Sequence, residues 1–162
     1  MYDVIIIGGG PAAAGAAVYV ARKKLKTLLI AEAFGGQSIV SADIHNWIGT
    51  KSISGIELAK NLEQHVRNYP EEVEVKAGEL AVRVLQADGG FRVETNKGGS
   101  YESKTVIMCA GARRRKLGIP GEEEFNGKGV VYCSTCDAPL FSGKDVAVVG
   151  GGNAGLEAAV DL

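Results

Sequence analysis

The chain has no apolar run approaching the roughly 20 residues that cross a bilayer, and nothing like a signal peptide follows Met1. It is equally short of net charge. Its 18 Lys and Arg against 19 Asp and Glu give −1, too weak a field to gather nucleic acid or anionic lipid, so small molecules and proteins are the expected partners. A chain with no membrane segment, working in the cytoplasm, is the expectation. Cysteine is scarce as well: three residues cannot build a structural disulfide framework, but two of them form one C-x-x-C, which reads as redox or metal chemistry in a reducing compartment. No metal site is expected, because zinc wants four ligands and the remaining candidates, Cys109, His45 and His65, lack finger-like spacing.

What is present is glycine in two patterned places. GGGPAA from Gly8 follows the apolar strand Tyr2–Ile7 and precedes an alanine-rich helix, Pro11 to Lys24. GGGNAG from Gly150 follows a second apolar segment, Asp145–Val149, and precedes another helix from Asn153. Strand, glycine turn and helix in that order form the dinucleotide fingerprint: the glycines permit the turn and let the pyrophosphate approach the helix N-terminus. The first copy is completed by a second strand, Lys26–Ala31, ending at Glu32, where a carboxylate can accept hydrogen bonds from an adenosine ribose. A dozen residues before the second copy stands CSTCD, Cys133 to Asp137. A dithiol beside two dinucleotide turns points to electron relay, in which one thiolate attacks a disulfide and the other resolves it.

Between these motifs the order is α/β. Phe34 to Thr50 has loop character. Ser54 and Glu57 form a capping box for a helix to about Asn68, and Pro70 helps to stop it. Val73–Val84, Phe91–Thr95 and Ser100–Thr105, separated by Gly89–Gly90 and Gly98–Gly99, predict a three-stranded meander, and Lys104–Cys109 a buried strand. Cys109 reads as a small buried hydrophobe, His65 as a helix-face residue, and Trp47 either as a wall of a cofactor pocket or as core. Gly111 to Gly129 has crossover composition, which places a boundary near Ala112, with units 1–112 and 113–162. Its cations Arg113, Arg114, Arg115 and Lys116, followed by Glu122 to Glu124, are read as a solvated face.

The runs YDVIIIGGGPAAAGAA, FGGQ, DIHNWIG, VIMCAGA, IPGEEEF, YCSTCDAPLFSGK and VAVVGGGNAGLEAA resemble the first half of the low-molecular-weight thioredoxin reductases. They are also similar to the flavoprotein component of bacterial alkyl hydroperoxide reductase. The resemblance implies an FAD-binding Rossmann-like domain of parallel sheet and β-meander (1–112), and the start of a second, NAD(P)-binding Rossmann-like domain carrying the dithiol (113–162). By motif position, Gly8, Gly9, Gly10, Pro11, Ala12 and Ala13 would approach the FAD pyrophosphate, Glu32 the ribose, and Gly36, Gln37 and Asn46 the flavin. Gly150, Gly152, Asn153, Ala154 and Gly155 would receive NADPH or NADH. Cys136 would face the flavin, Cys133 would attack the disulfide of a thioredoxin-like or peroxiredoxin-type partner, and Asp137 would handle protons. A homodimer is implied for the full-length parent.

The chain departs from the family pattern in three places. Ala13 stands where many relatives have Gly, which the fingerprint accepts. Cys109–Ala110–Gly111 replaces Ala-Thr-Gly. The family's second half, with the rest of its nucleotide domain and its returning FAD segment, has no counterpart before Leu162, so weak flavin retention and an unfinished second unit are expected. The rival expectation is a truncated, catalytically incompetent flavin-binding or dithiol-interaction fragment.

Overall fold

A computed structural model describes residues 1–113 and 115–162, apart from the side chains of Thr135 and Cys136. The chain divides into two compact units, Met1–Arg113 and Arg114–Leu162.

The first unit is a six-stranded sheet in the order β3-β2-β1-β6-β5-β4. Strand β1 (Tyr2–Ile7) pairs in parallel with β2 (Thr27–Ala31) on one side and β6 (Ser100–Met108) on the other, and β2 pairs in parallel with β3 (Val73–Ala77). The remaining strands, β4 (Ala81–Ala87) and β5 (Gly90–Thr95), form an antiparallel meander with the first half of β6. Because side chains alternate along a strand, β1 feeds two cores. Val4 and Ile6 pack with Leu29, with Ala13, Ala14, Ala17 and Ala21 of α1 (Pro11–Arg22), and with Val66 of α2 (Gly55–Arg67). Ile5 and Ile7 pack on the opposite face with Leu28, Ile30 and Val93, beside Tyr101 of the meander. The small alanines let α1 lie close against the sheet, which fixes the turn before it. The capping box holds in part: the Ser54 side chain accepts from the Glu57 amide at 3.2 Å, and α2 ends with Asn68 as its C-cap.

Two strand expectations change. Val73–Val84 is not one strand but two: the chain turns at Gly78 (φ +77°), so β3 joins the parallel ladder and only β4 enters the meander. Ser100–Thr105 and Lys104–Cys109 are instead one strand, β6. Ser103 is the junction, paired with Tyr2 in one ladder and Phe91 in the other. The later half of β6 is only partly covered, not buried.

The second unit contains a short helix α3 (Ser134–Asp137), a 3-10 turn over Ala138–Phe141 and helix α4 (Asn153–Asp161). The expected strand at Asp145–Val149 is absent. A strand exists only with a ladder partner, and a parallel partner needs a crossover of a dozen or more residues. Residues 145–149 instead run without a ladder partner into the glycine turn and α4. Among the described residues the one buried side chain of this unit belongs to Glu122, 4% exposed. It accepts from the amides of Leu117 at 2.7 Å and Gly118 at 2.6 Å, and from the Tyr132 hydroxyl. No helix is long and apolar enough to cross a membrane among the described residues.

Candidate functional site

The first site is built on the turn from β1 into α1. Gly8 has φ +129°, a conformation that side-chain-bearing residues rarely adopt, and any Cβ there would collide with the Cys109 carbonyl. The collision follows from topology, since the Cys109 amide donates to the Ile7 carbonyl at 2.8 Å where β6 leaves the sheet beside β1. Gly10 is the extended N-cap of α1 (φ −78°, ψ −177°), Pro11 is the first helical residue, and no side chain caps the helix. An uncapped N-terminus presents orphan amides and the positive end of the helix dipole, which together favour an anion. Ala13 is fully buried beneath the turn, so its small size serves helix–strand packing.

In front of this turn lies a cleft of about 960 Å³. Gly8, Gly9, Gly10, Pro11 and Ala12 form its floor, with Glu32 just beyond β2, Gly36 and Gln37 beside it, and Cys109 to Arg113 along another wall. Asn46 is not among its lining residues. It stands exposed, as does Trp47, between Ile44 and Ile53, which bridge each other at 2.8 and 3.1 Å. Of the residues expected at the flavin, Gln37 lines the cleft and donates from Nε2 to the Ala112 carbonyl at 2.8 Å. His45 pairs with Asp43, and His65 is exposed on α2, stacked on Tyr69.

Two of the crossover cations are paired. Arg113 makes an ion pair with Glu32, and Lys116 with Glu123 at 2.6 Å, while Arg114 lies outside the described residues. Arg113, Arg115 and Lys116 are exposed, as a solvated face requires, and what the sequence did not show is the pairing of Arg113 with Glu32. The available signal was positional: the residues after β6 emerge next to the glycine turn whenever that strand neighbours β1.

In the second unit the turn into α4 repeats the first. Gly150 has φ +126°, Gly152 is an extended N-cap (φ −87°, ψ 177°) with no side-chain cap, and Asn153, Ala154 and Gly155 form the first helical turn. A Cβ on Gly155 would strike the Gly150 carbonyl. Cys133 is the N-cap of α3 and is disulfide-bonded. The Asp137 amide donates to its carbonyl at 3.0 Å, which sets Asp137 one turn away. Ser134 donates to Asp161 at 2.8 Å, tying α3 to α4. The side chain of Cys136, the second expected redox thiol, lies outside the described residues. Cys109 is free, and burial pushes its thiol up from the ordinary value, which disfavours the reactive thiolate. The Tyr132 hydroxyl, directly before Cys133, holds the Glu122 carboxyl below its usual range, against the opposing effect of burial. Among the described residues no group of three or more His, Cys, Asp or Glu could hold a metal ion.

The family described as pyridine nucleotide-disulphide oxidoreductase matches residues 2–162. The chain belongs to this family. Among curated relatives, the chain is 50% identical over 161 residues to a protein of Bacillus subtilis named NADH dehydrogenase, covering 99% of this chain and 31% of that one. It is 47% identical over 164 residues to a component of the alkyl hydroperoxide reductase of Pseudomonas aeruginosa, with the same coverage. Among solved structures, thioredoxin reductase of Streptococcus pyogenes superposes with TM-score 0.77 at 40% identity, covering 99% of this chain and 51% of that one. Thioredoxin reductase of T. acidophilum gives 0.71 at 41% identity, with 99% and 52% covered. The chain thus spans about a third of its curated relatives and half of these solved proteins. The mixed six-stranded sheet is the FAD/NAD-binding Rossmann-like fold of the thioredoxin reductases.

Proposed function

We propose that this chain works in a flavin-dependent disulfide oxidoreductase. Electrons would pass from NADPH or NADH through FAD and the Cys133/Cys136 dithiol to a thioredoxin-like or peroxiredoxin-type protein disulfide. The observation that carries this reading is the cradle of the first unit: an uncapped helix N-terminus behind an obligate glycine turn, opening on a cleft that ends at the Glu32 carboxylate. That donor set suits an adenine dinucleotide. The α1 amides bind a pyrophosphate, and Glu32 accepts ribose hydroxyls. FAD, when bound, accepts a hydride and returns its electron pair to a disulfide.

The protein's own part in partner reduction is thiol exchange. The Cys133 thiolate attacks one sulfur of the partner disulfide and expels the other as a thiolate. The Cys136 thiolate then attacks the Cys133 sulfur of the mixed disulfide, leaving a Cys133–Cys136 disulfide and a two-thiol partner. Asp137 holds and returns the proton at this pair. The turn into α4 binds the nicotinamide dinucleotide by the same amide chemistry as the first turn, and a boundary near Ala112 separates the two dinucleotide domains.

Thiol counting and mass mapping with and without reductant test the dithiol. Two thiols should appear on reduction, confined to Cys133 and Cys136, with Cys109 unchanged; stoichiometric zinc held by the pair would refute the reading. Glu32→Ala should weaken FAD binding by on the order of 1–3 kcal/mol, measured by quenching of flavin fluorescence.

A further inference from the structure

Beyond Met108 the chain runs as a strap along the cleft. It is fixed at its start by the Cys109 amide on Ile7, and further on by Gln37 on the Ala112 carbonyl. The next side chain, Arg113, reaches Glu32 and pairs with its Oε2. Glu32 is thus already occupied by a cation from the same unit, and both partners are more than half exposed, 69% for Arg113 and 56% for Glu32. A pair so solvated gains little from its Coulomb energy and is readily exchanged.

We propose that Arg113 is an intramolecular competitor for the ribose-binding carboxylate: it holds Glu32 in the ligand-free protein, and an adenine dinucleotide must displace it to bind. The inference rests on the reading of Glu32 as the ribose acceptor. A ribose that uses both carboxylate oxygens cannot share Glu32 with a guanidinium already on one of them, so the apparent affinity falls by the fraction of molecules in which the pair is closed. Arg113 therefore sets affinity without being a ligand. Anchoring by Gln37 keeps the strap, and with it the guanidinium, beside Glu32.

The test is a double-mutant cycle on the whole chain with FAD and ADP as probes, using wild type, Arg113→Gln, Glu32→Gln and the double variant, with Arg113→Lys alongside. Arg113→Gln should bind both probes more tightly, up to roughly five-fold, the range of an exposed ion pair. The gain should vanish in the Glu32→Gln background and shrink as salt rises, because screening opens the wild-type pair. Arg113→Lys, which keeps a charge in place, should stay near wild type. Equal or weaker binding by Arg113→Gln, with Glu32→Gln still weakening both probes, overturns the competition and leaves the dinucleotide reading standing. Failure of every variant and the wild type to bind either probe overturns that reading and the competition with it.

Discussion

The two glycine turns have nearly the same backbone and very different surroundings. Gly8 and Gly150 sit at φ +129° and +126°, and Gly10 and Gly152 are both extended, uncapped N-caps. Around Gly8 the neighbouring strand end is so close that a single added carbon would collide with it, whereas around Gly150 an added carbon would meet nothing within 4 Å. The units differ in the same way. Every buried hydrophobic side chain among the described residues lies in the first, while the buried group of the second is the Glu122 carboxylate. A fingerprint sequence therefore writes its own turn, but the wall that closes against the turn comes from a strand far away in sequence. Apolar burial stabilises one unit, and a polar hub organises the other.

The sharpest way to break this comparison is to cut matched leucines. Leu29 is fully buried and Leu156 is 61% exposed. Leu29→Ala should cost about 2–5 kcal/mol in urea melts followed by circular dichroism, and Leu156→Ala no more than about 0.5 kcal/mol. Similar losses would mean that α4 is packed as tightly as β2. The glycines come next: Ala at either Gly8 or Gly150 incurs backbone strain of about 1–3 kcal/mol, and Gly8→Ala adds the clash with Cys109. Gly8→Ala should therefore be clearly the more destabilising of the two in the same melts, and equal costs would remove the contrast.

Opposite ends of the pH scale should then separate the units. Glu122 is depressed by the Tyr132 hydrogen bond, so the stability it contributes is present above its ordinary value of 4.5 and is lost as pH falls through the folded value. Hydrogen exchange at 117–132 should rise on that descent, and less so in Glu122→Gln. Tyr2, raised to about 12 by burial first and then by its bond to Glu74, contributes stability below pH 10 that disappears as pH climbs through about 12. Tyr2→Phe should flatten that alkaline loss in the first unit. The smallest effect belongs to the exposed α2 pair Arg67–Glu63 at 2.8 Å. Arg67→Ala should cost about 0.3–0.5 kcal/mol, and less in high salt.

Legibility in the sequence followed the range of the interactions. β1, α1, β2 and the start of α2 were readable because each is written locally, by an apolar run, a glycine–proline turn, a row of alanines or a Ser–x–x–Glu cap. The division of Val73–Val84 into β3 and β4 carried one local signal, Gly78, and choosing between a parallel and an antiparallel neighbour needed the ladders themselves. Nothing in Ser100–Met108 states that one strand serves two ladders that meet at Ser103. In the candidate site, Gly8 to Ala13 and Glu32 were visible as a spacing. The pairing of Arg113 with Glu32 and the bond from Gln37 to Ala112 were not, since their partners stand 81 and 75 residues apart.

The sequence by itself determined the turns, the helix starts, the dithiol spacing and the family, because these depend on neighbouring residues and on backbone freedom at glycine. Only the tertiary structure decided that Cys109 closes against Gly8, that Arg113 sits on Glu32, and that Glu122 gathers the loop leading to Cys133. Those meetings depend on strand order, and strand order is settled by which apolar faces can be buried together, a property of the whole sheet that no short stretch of sequence contains.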